Sequence, residues 1–141
     1  MWDDLGTVLT GAGPTATVQD PDGTPNNILD VADGGAVEVA WSFKGTALGF
    51  LDLAEFTVQL WADPVGLGTN HLVGQVLVAG TLAPVTPPGP KGYAANIAIA
   101  PNSLAIGAYR LTTLITCTNG GVSVPVAGFV DGLIIQVRPG P

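Results

Sequence analysis

Few residues in this chain are equipped for chemistry. His71 is the single histidine of 141 residues and stands in the loop-like stretch Gly68-Thr69-Asn70-His71. A serine nucleophile would need it beside Ser42, Ser103 or Ser123 together with an acid. Ser42 and Ser123 fall inside strand-like alternation, and no Gly-x-Ser-x-Gly turn occurs. Cys117, the single cysteine, rules out a disulfide scaffold, and on the inward side of a strand a free thiol behaves as a small hydrophobe. One His and one Cys do not close a transition-metal site. Glu38 and Glu55 sit on the polar register of their strands, where carboxylates are ordinarily solvated rather than paired for acid–base work. The sequence therefore gives no catalytic set, and the expectation is a protein that is not an enzyme.

The richest cluster of hard oxygen ligands is Asp20-Pro21-Asp22-Gly23-Thr24-Pro25-Asn26-Asn27, with Asp30 and Asp33 close behind. Asp20, Asp22 and Asn26 are the candidate ligands for calcium, which prefers carboxylate and carbonyl oxygens. The spacing is not that of an EF-hand loop, and Asp-Pro-Asp-Gly is a strong turn signal in its own right. Both readings stand at this stage.

Composition narrows the partners. Charged residues are 11% of the chain, less than half the usual share, while 47% is hydrophobic. Such a chain is not disordered. Four basic residues against eleven acidic ones cannot neutralise a phosphate backbone, so no nucleic acid is expected. Residues 1–70 hold ten acids against Lys44, whereas residues 71–141 hold Asp131 against Lys91, Arg110 and Arg138. Such asymmetry would orient a head-to-tail contact between copies, or it reflects Asp gathering in turns. Met1-Trp2-Asp3-Asp4 has neither a basic nor an apolar leader segment, so no signal peptide is read. The uncharged stretch from Leu111 to Val130 is broken by Thr, Asn, Gly and Pro, and no membrane span is expected.

The elements that would position these residues are strands. Ala36–Lys44 alternates strictly, with Val37, Val39, Trp41 and Phe43 on one face. Ala54–Ala62 turns Phe56, Val58 and Leu60 inward and Glu55, Thr57, Gln59 and Trp61 outward, until Asp63-Pro64 stops it. Leu72–Leu82 alternates less well, and Pro84–Pro90 reads as an extended crossover. Tyr93–Ala100 and Ala108–Thr118 alternate again. Thr118-Asn119-Gly120-Gly121 then turns the chain into a last strand, Val122–Arg138, bent near Pro125 or Gly128. Thr15–Gln19 and Ile28–Val31 read as short edge pieces. Only Thr46–Leu53 has helix-compatible spacing, weakened by Gly45 and Gly49. The fold class is all-β: a single two-sheet sandwich of about seven strands over residues 15–141, preceded by an extended arm, residues 1–14.

Leu104-Ala105-Ile106-Gly107-Ala108-Tyr109-Arg110-Leu111 resembles the approach to the penultimate strand of immunoglobulin-like sandwiches. The resemblance implies a tyrosine corner, in which Gly107 admits the turn and the Tyr109 hydroxyl reaches back to upstream backbone. The strand rhythm of residues 15–138 is similar to that superfamily as well. Departures are plain: Leu111 stands where antibody domains carry their second cysteine, and the core Trp is on the wrong strand, since Trp61 of the third strand falls on its outward register and the inward Trp41 lies on the strong second strand. The resemblance is thus to the superfamily, which has no common activity.

What remains is the surface. Outward positions of the later strands are Ala94, Asn96, Ala98, Ala100, Arg110, Thr112, Leu114, Thr116, Ile134 and Gln136, with two lysines in the whole chain. Monomers usually guard sheet faces and edges with charge. The expectation is a structural subunit that binds copies of itself in a filament, sheath, shell or virion surface; its location is not read from the sequence, an extracellular or virion-associated assembly being compatible with it. Trp2, Trp61, Leu114 and Ile134 are the candidate interface residues, and the arm either docks on a neighbour or is a flexible tail or first edge strand of its own domain. The alternative is a monomeric module for carbohydrate or a cell-surface ligand that uses Trp61 as a stacking platform, with or without calcium.

Overall fold

An extended backbone satisfies its amides by pairing sideways, and the described residues form eight strands that do so, of which Gly35–Lys44, Ala54–Pro64, Lys91–Ile99 and Gly107–Asn119 carry the strict alternation. The computed structural model describes residues 10–45, 48–66, 68–80, 89–119 and 122–140, with backbone alone at 10, 48–50 and 122–126. The strands are β1 (Thr10–Gln19), β2 (Ile28–Asp30), β3 (Gly35–Lys44), β4 (Ala54–Pro64), β5 (His71–Ala79), β6 (Lys91–Ile99), β7 (Gly107–Asn119) and β8 (Val122–Arg138). A 3-10 turn, Leu48–Leu53, is the helical element among the described residues and lies within the segment whose spacing suggested a helix.

Two sheets form. One has the order β1-β3-β6 and the other β2-β8-β7-β4-β5. All neighbours are antiparallel except β2, which runs parallel to β8 through Ile28, Leu29 and Asp30. The sheets face each other across one core. From the first come Val37, Val39, Trp41, Phe43, Tyr93 and Ile97, and from the second Phe56, Val58, Leu60, Leu111, Ile115 and Ile135, all buried. Phe56 anchors the aromatic centre, its ring centroid 4.8 Å from Tyr93, 5.6 Å from Trp41 and 5.9 Å from Phe43. Edge-on and tilted rings at such separations add to the burial itself.

Among the described residues there are eight strands, in keeping with the two-sheet sandwich of about seven read from the sequence. β2 is three residues long, too short to carry a period, and is held by its ladder to β8. Residues 10–14, which the sequence reading places in the arm, belong to β1 and face β3 from Thr10↔Lys44 onward. Gly11, Gly13 and Pro14 erase side-chain alternation there, but pairing is a backbone affair. Residues 1–9, including Trp2, lie outside the described residues, as do Gly120, Gly121 and most of the Pro84–Pro90 connection.

Two register shifts shape β8. Leu111 faces Leu133 while Thr113 faces Val130, so Asp131 and Gly132 together oppose Thr112. Gly132 takes φ +87°, a conformation open to glycine, and its N–H donates to Asp131 Oδ1 at 2.6 Å. The extra residue reverses the parity of the strand, which puts Leu133, Ile135 and Val137 on the core side. A second shift leaves Pro125 and Val126 between the paired residues Val124 and Ala127, where a missing proline N–H costs no ladder bond.

The end of the sandwich beneath the 3-10 turn is tightly closed. Gly80 donates to the Ala54 carbonyl at 2.8 Å, and a Cβ at this position would collide with the Leu51 carbonyl oxygen. The buried Tyr93 hydroxyl donates to the Gly80 carbonyl at 3.0 Å.

Candidate functional site

Pairing across β8-β7-β4-β5 decides which outward side chains meet. Leu114 lies opposite Phe129 on β8 and Gln59 on β4, and Gln59 opposite Gln75 on β5. The next row joins Thr112, Trp61 and Leu72, and the row on the other side joins Ala127, Thr116, Thr57 and Leu77. Ile134 faces Arg110 at one end of the same face. Three of the four interface candidates, Trp61, Leu114 and Ile134, therefore share the outer face of the five-stranded sheet. The fourth, Trp2, lies outside the described residues.

This face is apolar and lightly charged. Leu114 is 36% exposed, Ile134 51%, Leu72 43% and Leu77 57%. Gln59 Nε2 donates to Gln75 Oε1 at 2.8 Å, and the half-buried Trp61 donates its indole N–H to Gln59 Oε1 at 3.2 Å. The glutamines thus satisfy one another and Trp61, leaving the aliphatic groups as the unsatisfied part of the surface. Ionised residues keep to the margins: Arg110 and Asp63 face each other at one end, Glu55 lies at the other, and Asp131 occupies the β8 bulge. Leu72 and Leu77 escaped the sequence reading because β5 alternates poorly; the available signal was their distance of five residues on a strand with a bulge at Val73.

The opposite sheet presents a different outer face. Gln19, Ala36 and Ala98 make one row, Thr17, Glu38 and Asn96 the next, and Thr15, Ala40 and Ala94 the third. Glu38 accepts a hydrogen bond from Gln19 Nε2 at 2.9 Å. Glu38 and Glu55 consequently sit on opposite outsides of the sandwich, in no common cleft.

At the end of the molecule where β1 and β8 finish, a depression of about 600 Å³ is lined by Asp20, Asp22, Asn26, Asp30 and Asp33 with Arg138. Two of the three candidate calcium ligands, Asp20 and Asn26, are committed to backbone, and Asp22 lies exposed beside them. Asp20 Oδ1 accepts from the N–H groups of Asp22 and Thr24 at 3.0 Å each, and Asn26 Oδ1 accepts from Ile28 N–H at 3.0 Å. Asp30 Oδ1 pairs with Arg138 Nε at 3.2 Å. Among the described residues no three His, Cys, Asp or Glu side chains are placed to hold a metal ion. The geometry is that of side-chain-capped turns.

The remaining singled-out residues are accounted for in place. The Tyr109 hydroxyl donates to the Ala105 carbonyl at 2.8 Å, and Gly107 between them has φ +154°. His71 opens β5, exposed, with its ring edge toward Tyr109 at 6.5 Å. Ser42 is on the outer face of the three-stranded sheet, and the Ser103 hydroxyl donates to the Ala100 carbonyl at 2.6 Å. Cys117 is buried, and burial pushes its thiol up to about 11. Sequence reasoning missed Lys91, which is 2% exposed and bonded to Asp52 Oδ1 at 2.8 Å beside the Tyr93 ring. Among the described residues no helix is long and apolar enough to cross a membrane.

No protein family and no curated protein matches this chain in sequence. Among solved structures it is similar to the C-terminal domain of Wzt, at a TM-score of 0.55 and 12% identity over 94% of this chain and 78% of that one. That likeness is one of fold, an all-β sandwich. The CooA pilin subunit from enterotoxigenic Escherichia coli aligns over 89% of this chain and all of its own, at 13% identity and a TM-score of 0.39. A β-glucosidase from Kluyveromyces marxianus aligns over 89% of this chain and 15% of its own, at 11% identity and a TM-score of 0.29. The last two scores lie below the level at which two folds are the same.

Proposed function

We propose that this chain is a non-enzymatic structural subunit of immunoglobulin-like build that assembles with copies of itself. The observation that carries the reading is the outer face of the five-stranded sheet, where Trp61, Leu72, Leu77, Leu114 and Ile134 are gathered and charge is sparse, with Asp131 beside Thr112 and Arg110 beside Ile134. An apolar centre inside a polar margin is the composition of a protein–protein interface. Each Å² of apolar surface removed from water contributes roughly 25 cal/mol before association costs, so a face repeated on every subunit can hold an extended assembly. Electron microscopy of the purified chain tests this. Regular filaments, sheets or shells are the expected result, and a field of separate single subunits at micromolar concentration would remove the proposal.

The depression at the Asp20–Asn26 turn favours a second reading, a binding module for carbohydrate or a cell-surface ligand. Its polar lining offers hydrogen bonds to hydroxyl groups. A glycan array with the monomeric form, and thermal melting with excess calcium, separate it from the first: specific glycan capture or a raised midpoint supports the module.

A further inference from the structure

The hydrogen bonds at the strand ends fix which backbone groups of each strand point inward along the sheet and which point away from it. Val65 N–H donates to the Ala108 carbonyl, so Val65 and Ala108 form a hydrogen-bonded antiparallel pair. Counting back in steps of two, the odd-numbered residues of β4 bond to β7. The even-numbered ones, Phe56, Val58 and Leu60, therefore bond to β5 at Val78, Val76 and Gly74. Gly80 N–H donating to the Ala54 carbonyl falls in the same series and confirms the phase. Gln75, Leu77 and Ala79 consequently direct their N–H and C=O groups away from the sheet, six backbone groups on an edge beyond which no strand is hydrogen-bonded among the described residues, with β6 of the other sheet packed close to β5 at Gly74.

The other edges are managed. Beyond β1 the Asp20–Asn26 turn folds back, with Asn26 N–H on the Val18 carbonyl, and Pro14 interrupts the strand. β2 is only three residues long. β6 carries an inward-pointing charge at its start, Lys91, 2% exposed and paired with Asp52. The β5 edge from Gln75 to Ala79 has none of the usual guards, neither Lys, Pro nor a bulge, and β5 as a whole carries no Asp, Glu, Lys or Arg.

The geometry points to β5 as a strand-pairing edge for a second copy of this chain, running antiparallel about a two-fold axis at Leu77. Charge selects that occupant. The chain carries −7, so two copies repel on most approaches, and β5 itself brings no carboxylate to the contact, the nearest on this face being Glu55 opposite Ala79 at one end. Symmetry supplies the hydrogen bonds: Leu77 pairs with its own copy, and Gln75 with Ala79 in both directions, which satisfies all six groups. An axis at Gln75 would instead draw in the bulged Val73, and one at Ala79 would run past the end of the strand. The two five-stranded sheets become one continuous sheet, and Leu77 and Leu72 extend the apolar face across the junction. This inference deepens the assembly reading and rests on it.

Disulfide trapping reads the register. In a hydrogen-bonded antiparallel pair the Cα atoms lie about 5.5 Å apart, within disulfide range. Leu77→Cys, exposed to copper phenanthroline, is expected to form a covalent dimer through residue 77, while the buried Cys117 stays reduced. Gln75→Cys alone places its copies about 14 Å apart along the strands and is expected to cross-link at least tenfold more slowly. Mixing Gln75→Cys with Ala79→Cys restores the fast rate. Equal rates for Leu77→Cys and Gln75→Cys, or no cross-link from Leu77→Cys in a preparation that assembles, overturns the edge pairing and leaves the sheet-face reading standing. A chain that stays single throughout sinks both.

Discussion

Replacing Leu114 and Ile134 together by Glu separates what the outer face does for the subunit from what it does for the assembly. In the free subunit the two side chains are 36% and 51% exposed, so much of their burial is still to be gained. Full burial of a Leu or Ile is worth about 1.5–3 kcal/mol, so the remaining fraction is about 0.5–1.5 kcal/mol for each. Lost from an interface, the pair alone weakens association about tenfold to a hundredfold. Two carboxylates on each facing surface of a chain already at −7 add like-charge repulsion of several kcal/mol. The subunit itself loses the burial these side chains already have, about 1–2 kcal/mol per site, together with some strand propensity. Light scattering at matched concentration reads the assembly and circular dichroism melting reads the fold. As a control for charge alone, Thr24→Glu with Ala32→Glu adds the same two acids at exposed positions near the Asp20 turn. The expected result is a folded, far smaller species for the first variant and undiminished assembly for the control. Equal loss in both would reduce the effect to net charge, and undiminished assembly in the first would refute the role of this face.

Three further outcomes follow from the interior. Gly80→Ala drives a methyl group into the Leu51 carbonyl and is expected to cost about 1–3 kcal/mol in urea unfolding, more than Gly92→Ala, where the space is open. Burial, then the nearby Asp52 and Cys117, push the Tyr93 phenol up to about 12, and the neutral phenol is the form that donates to Gly80. Its contribution is therefore complete below about pH 10 and lost as pH rises toward 12, and Tyr93→Phe should flatten the fall of stability across that window while lowering stability at neutral pH by about 1 kcal/mol. Asp52→Ala leaves Lys91 buried without its carboxylate and should destabilise by about 1–3 kcal/mol, whereas Lys91→Met, of similar volume, should be nearly neutral; thermal melting compares the two.

Much of the fold is legible in the sequence for one physical reason. β3, β4, β6 and β7 each have one face in the core and one outside, and a half-buried antiparallel strand writes that geometry as strict alternation. Where burial does not impose the pattern, it is not there to be read. β1 pairs through glycines and a proline, β2 is shorter than one period, and β5 lies at an edge with a bulge. The candidate face divides along the same line. The outward positions of Trp61, Leu114 and Ile134 follow from local alternation, but their meeting on one surface depends on the order β8-β7-β4-β5, which no local pattern encodes. Lys91 shows the same limit from the other side: a lysine reads as solvated charge until Asp52, thirty-nine residues away, closes over it.

The central claim is that this subunit prefers its own kind to water, and sedimentation velocity of the unaltered chain over a dilution series tests it most directly. The account predicts large species that dissociate toward single subunits only on dilution. A single boundary at the mass of one subunit, unchanged from the most dilute sample to the most concentrated, would contradict it.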